Sequence, residues 1–274
     1  MVRNVKFIDL HNDCLTQIKD YNNYLRECFQ RGLEGVVLAL FLSENKFNSD
    51  EIINLVNNVK YKNNVYYAIE DISGINYDEL DKLKGIKPLY CSLTWNSKNA
   101  LAGGCNSDGN LTKLGLKYIK KIEEFSVIDT AHLNKRSFYK FAKITTKPIL
   151  NSHTNLISEK KHKRNINDRQ IKKIIESNGL ICLTGVKEFL NDKGTLNEYI
   201  NSIYMFYKKY GSDNIGLSTD FMGSKEYPLA YNDYNDFKTI YLELKKKGLS
   251  KKDLDKIFYL NALNFFSLNK NRNI

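Results

Sequence analysis

Short apolar runs alternate with amphipathic stretches along the chain. The runs at 5–10, 35–42, 65–69, 88–94, 126–130, 148–152, 179–184 and 214–219 are apolar at consecutive positions and rich in Val, Ile, Leu and Tyr. That pattern marks parallel strands covered on both faces. Between them, 20–31, 49–60, 77–84, 113–125, 134–143, 167–178, 196–210 and 234–247 carry helical spacing. A last helix is expected over 250–266, N-capped by Ser250 with Asp253 three residues on. Eight strands, each followed by a helix, predict an α/β fold: a (β/α)8 TIM-type barrel with an extra C-terminal helix. No Pro/Gly/Ser-rich linker interrupts the pattern, so residues 1–274 read as a single barrel domain.

Composition changes this picture little. Apolar residues make up 42% and charged residues 27%, as in an ordinary globular protein. The net charge of +11 raises nucleic acid as a partner, but the lysines are dispersed over helical stretches (Lys117, Lys120, Lys121; Lys172, Lys173) and read as solvated faces. Five cysteines without a C-x-x-C pair argue for a reducing compartment and against a disulfide framework. The first strand begins too early to leave room for a signal peptide, and no run approaches the ~18 apolar residues of a membrane span. The expectation is a cytoplasmic protein with no membrane and no nucleic-acid partner.

A barrel collects its chemistry where the strands end. Asp9-Leu10-His11-Asn12-Asp13 ends the first run, Glu70 the third, His132 and His153 follow the fifth and sixth, and Asp220 the eighth. The chain has four histidines, and three of them stand at strand ends. Three imidazoles and three carboxylates exceed the four ligands of one zinc and suit two divalent ions sharing a carboxylate. Two such ions bring four positive charges against three carboxylates and a hydroxide. His162 lies in the basic run from Lys160 to Arg164 and reads as a surface residue.

These motifs resemble the renal (membrane) dipeptidase family, the M19 metallopeptidases of the metal-dependent hydrolase barrels. The resemblance rests on Asp9 to Asp13, on Glu70 (with Asp71 where the family has Gly), on Leu93-Thr94 with Asn99, and on Leu111-Thr112 with Gly115. It extends to Asp129 to His132, Ser152-His153-Thr154, Arg164-Asn165 and Thr219-Asp220-Phe221-Met222-Gly223. It implies a metallo-dipeptidase that cleaves small dipeptides with a metal-bridging hydroxide. His11 and Asp13 would hold one zinc and His132 and His153 the other, with Glu70 bridging; other divalent metals accept the same ligands. Asp220 would be the catalytic proton carrier. Arg164, Trp95 and Asn165 would bind substrate, Arg164 through the terminal carboxylate. Trp95 stands where many members carry a His, and Met222 replaces an Asp. The alternatives are a related amidohydrolase acting on N-acyl amino acids or lactams, a catalytically impaired member with a binding role, and a nucleic-acid-binding protein with a vestigial site. A homodimer is compatible with the sequence.

Overall fold

A computed structural model describes residues 5–43, 47–191, 193–228, 231 and 233–270. Eight strands form one sheet in chain order: β1 (Phe7–Asn12), β2 (Leu33–Phe41), β3 (Val65–Glu70), β4 (Tyr90–Ser92), β5 (Val127–Asp129), β6 (Leu150–Thr154), β7 (Leu180–Thr184) and β8 (Ile215–Ser218). Every neighbouring pair is parallel. Just beyond the strands, β8 returns to β1: Asp220 N–H donates to the His11 carbonyl and Asp13 N–H to the Phe221 carbonyl, each at 3.0 Å. The sheet is thus a nearly closed (β/α)8 barrel, as the alternating pattern predicts.

Helices α1 (Cys14–Gln17), α2 (Tyr21–Gln30), α3 (Ser49–Asn57), α4 (Leu80–Leu83), α5 (Lys113–Ile122), α6 (Lys135–Phe141), α7 (Asp168–Glu176), α8 (Leu196–Tyr210) and α9 (Asp236–Lys246) surround it. Several begin where an oxygen-bearing side chain satisfies otherwise open N–H groups. Thr112 accepts from Gly115, and Asn167 and Thr195 form reciprocal capping boxes. No helix among the described residues is long and apolar enough to cross a membrane. All five cysteines are free.

The expected C-terminal helix is present but interrupted. Ser250 caps α10 (Lys251–Asp255), a π turn follows over Lys256–Leu260, and α11 (Asn261–Lys270) completes it. The wider turn re-phases the helix. Ile257 and Phe258 join the layer between barrel and helices, whereas Ala262, Phe265 and Phe266 join the inward-facing Ile8, Leu10, Val37 and Leu150. Buried Asn261 pins the junction by donating to the carbonyls of Ser212 and Ile215 at 2.6 and 2.7 Å.

Two register irregularities decide where the chemistry points. In β1 the pairing with β2 slips between Asp9 and Asn12; in β6 the pairing with β7 slips between Asn151 and Thr154. Ile8 and Leu10 pack inward, so strict alternation would turn His11 outward. The slip lets it turn inward instead, and the slip in β6 does the same for His153 after inward-facing Leu150.

Candidate active site

The three strand-end histidines converge through Nε2, and each is oriented by an acceptor behind Nδ1. His11 Nδ1 lies 2.7 Å from the Tyr90 hydroxyl, whose own proton goes to the Leu10 carbonyl at 2.9 Å. His153 Nδ1 lies 2.7 Å from Ser152 Oγ, whose proton goes to Asp129 Oδ2 at 2.6 Å. His132 Nδ1 lies 2.9 Å from Asn96 Oδ1, an oxygen that can only accept. In all three rings, therefore, Nδ1 carries the proton and Nε2 presents a lone pair. Such backing carbonyls and carboxylates are the usual second layer of a metal site.

The carboxylates meet the same point. Glu70 Oε2 lies 3.6 Å from His11 Nε2, while its Oε1 lies 2.6 Å from His132 Nε2 and 3.8 Å from His153 Nε2. Asp13 Oδ2 is 3.3 Å and Asp220 Oδ1 3.9 Å from His11 Nε2. His132 and His153 bring their Nε2 atoms to 2.9 Å of each other. Two lone pairs at that separation, with a carboxylate oxygen beside them, repel unless a cation lies among them. His11 Nε2 and Asp13 Oδ2 are buried and find no hydrogen-bond partner among the described residues. A buried polar atom left so is costly. The donor set therefore fits divalent cations, in three groups of three: His11–Asp13–Glu70 and Glu70–His132–His153, which share Glu70, and His11–His153–Asp220.

The protonation states agree with that use. Burial, helped by the nearby Arg164 charge, pushes His132 down to about 4, and burial with His11 and Arg164 holds His153 well below its ordinary value. Both are neutral at neutral pH, the form that binds metal. Burial works against ionisation of Glu70, yet His132 and His11 hold its carboxyl below the usual range. Burial raises Asp220 strongly; the His11 charge pulls it down, while the Asp13 and Glu70 charges push it further up. Burial opposes a proton on His11, but Tyr90 and Asp13 outweigh it and raise His11.

Further residues shape the site. Asp9 accepts from Thr219 N–H, Thr219 Oγ1 and Tyr234 OH at 2.8, 2.6 and 2.6 Å, tying β1 to β8. Asp71 has a left-handed backbone (φ 59°), a conformation that Asp tolerates better than most residues, and accepts from Ser73 and Asn99. Gly223 packs so tightly on Asp13 Oδ2 and Asp220 Oδ1 that a Cβ there would displace both carboxylates. Tyr90 and Asn96 have no sequence signal of a role. Their importance is testable. Tyr90→Phe should weaken metal binding about 10–100-fold while the barrel stays folded. A chelator-competition titration measures this, and unchanged affinity would show that His11 needs no such anchor.

A cleft of about 470 Å³ opens over these ligands, within the usual range for small-molecule sites. Trp95 lines it, edge-on to Phe41 at 5.3 Å between ring centres. Arg164 lines it too, and it is only 5% exposed, unlike its exposed basic neighbours Lys161 and Lys163. Two of its five N–H donors go to the carbonyls of Ala131 (2.8 Å) and His153 (3.2 Å), leaving three. No carboxylate among the described residues pairs with it. Asn165 is not on the cleft wall: its amide donates to the carbonyls of Lys160 (3.0 Å) and Phe189 (2.8 Å), so it pins the loop that carries Arg164. His162, expected at the surface, is half-buried on the cleft wall, stacked on Phe189 at 5.0 Å. The signal for this was absent because Phe189 reaches it from the loop after β7.

The profile of the family described as "Membrane dipeptidase (Peptidase family M19)" matches residues 48–272. An uncharacterised dipeptidase of Schizosaccharomyces pombe is 21% identical over 186 residues, 64% of this chain and 45% of that protein. The dipeptidase ataJ of Aspergillus terreus is 25% identical over 154 residues, 55% of this chain and 37% of that protein. The matched stretch thus spans less than half the length of these curated relatives. A metallopeptidase of Rhodobacter sphaeroides, solved with a phosphinate mimic of L-Ala-D-Ala, superposes with a TM-score of 0.85 at 15% identity, covering 97% of this chain and 99% of that one. At that identity the likeness is one of fold.

Proposed function

The chain belongs to the membrane dipeptidase family, peptidase family M19, and on that premise we propose that it hydrolyses the peptide bond of small dipeptides with two divalent metal ions. One observation carries the reading: three Nε2 lone pairs and three carboxylates converge on one buried point, with Nδ1 of every ring already committed. His11 and Asp13 would hold one ion, His132 and His153 the other, and Glu70 both. Zinc is the proposed metal, although manganese or iron accept the same ligands. When bound, such ions polarise a carbonyl and lower the pKa of water from ~15.7 to about 7.

The chain's own residues do the rest. Asp220 is the most accessible of the three carboxylates: its side chain is 12% exposed, against 3% for Asp13 and 5% for Glu70. Its backbone is left-handed (φ 57°) and anchored to the His11 carbonyl, which turns the carboxylate into the cleft. Asp220 accepts the proton of the attacking water at Oδ1 and returns it to the leaving nitrogen. Arg164, a buried cation without a carboxylate partner, takes the terminal carboxylate of the dipeptide. Trp95 forms the wall against which the substrate lies.

Arg164 gives the test. Arg164→Ala should raise KM for a free dipeptide by a factor worth ~1.5–3 kcal/mol, the range for a charged hydrogen bond. Arg164→Lys should recover part of it, because an ammonium has no planar fork. A C-terminally amidated dipeptide should be much less affected by either change. Equal losses on free and amidated substrates would show that Arg164 only holds the carbonyls of Ala131 and His153, and the carboxylate assignment would fall.

A further inference from the structure

Beside the catalytic cleft lies a second hollow of about 520 Å³ that the chemistry above leaves unused. Cys105 and His162 line both, so the two share a wall. The remaining charged residues of the second hollow are Lys135, Arg136, Lys161 and Lys163, against one carboxylate, Asp108. Among the described residues none of these four cations forms an ion pair. Elsewhere lysines pair readily, as Lys82 does with Asp50 at 3.1 Å and Lys121 with Asp81 at 2.6 Å. Arg136 donates to the Asp108 carbonyl at 3.4 Å. Four unmatched positive charges around one concavity create a field that an anion fills.

The position of the hollow says where that anion comes from. Phe189 touches both Arg164, whose guanidinium lies 5.2 Å over its ring, and His162, stacked at 5.0 Å. Burial raises the Cys105 thiol while Arg164 and Lys163 pull it back, so both cations bear on the atom where the hollows join. The side chain of a dipeptide's C-terminal residue branches from the carbon that bears the terminal carboxylate. With that carboxylate on Arg164, the side chain starts at the shared wall of His162 and Cys105. We propose that this second hollow receives an acidic side chain on the C-terminal residue of the substrate, with Lys161 and Lys163, which flank His162 in the chain, as the cations that meet it. The proposal rests on the dipeptidase reading and adds a preference to it.

The test compares Ala-Ala, Ala-Glu, Ala-Gln and Ala-Lys on the metal-loaded protein at 150 mM salt (about 8 Å of screening length). Native protein should favour Ala-Glu over Ala-Gln in kcat/KM by about tenfold, the range that two part-exposed ion pairs supply. The double variant Lys161→Gln, Lys163→Gln should bring that ratio to within about twofold. Lys161→Glu with Lys163→Glu should reverse the preference toward Ala-Lys. Both side chains changed are exposed in the native chain, so the comparison does not depend on the core. Hydrolysis of Ala-Ala with equal rates on Ala-Glu and Ala-Gln would overturn the proposal and leave the dipeptidase reading intact. A Glu preference that survives both double variants would also overturn it. So would inorganic phosphate binding at Lys161 and Lys163 without any Glu/Gln discrimination, since the hollow would then serve a free anion. If no dipeptide at all is cleaved, the dipeptidase reading fails and takes this proposal with it.

Discussion

Glu70→Gln should lose metal from both halves of the site and activity with it. Native protein should carry two divalent ions per chain, and the variant fewer than one, by elemental analysis after reconstitution. Glu70 points Oε2 toward His11 and Oε1 toward His132 and His153, so it joins the His11–Asp13 pair to the His132–His153 pair. Glutamine keeps one oxygen and turns the other contact into an N–H donor aimed at lone pairs, and it removes a negative charge that the cations need. His153→Ala should behave differently, weakening chiefly the group with His132. A native ratio of one metal, or a Glu70→Gln variant that still holds two, would contradict the shared-carboxylate arrangement.

Asp220→Asn should do the reverse: keep most of the metal and lose about 10²–10⁴ in turnover. Its carboxylate lies farther from His11 Nε2 than those of Asp13 and Glu70 do, and more of it faces the cleft. An amide preserves the shape but cannot take a proton. Metal content and kcat measured on the same preparation separate the two roles. Parallel loss of both would make Asp220 a ligand rather than a proton carrier.

The barrel was legible because each strand is a short apolar run between amphipathic stretches; the helix expected over 196–210 is α8, Leu196–Tyr210. The π turn at Lys256–Leu260 was not, since an extra residue in a helix leaves no mark on a short apolar pattern. Glu70 follows from alternation, with Tyr66 and Ala68 packed on the inward side of the same strand. His11 and His153 do not: alternation alone sends them outward, and only the register slips in β1 and β6 bring them in. Their grouping at strand ends was readable, their direction was not. Arg164 stands beside the exposed Lys161 and Lys163, and its burial depends on long-range contacts to Ala131 and Phe189. Tyr90 reads as one more core aromatic in an apolar strand, although its hydroxyl fixes the tautomer of His11. Asn165, which pairs with Arg164 in the motif, supports the loop through backbone carbonyls and stays off the cleft wall.

The most direct test of the account is the release of free amino acids from Ala-Ala by one preparation, stripped with chelator and then reloaded with zinc. Hydrolysis should be absent from the stripped protein and return as two equivalents of metal are added. A chain that binds both equivalents and still releases no amino acid from any dipeptide would contradict the account.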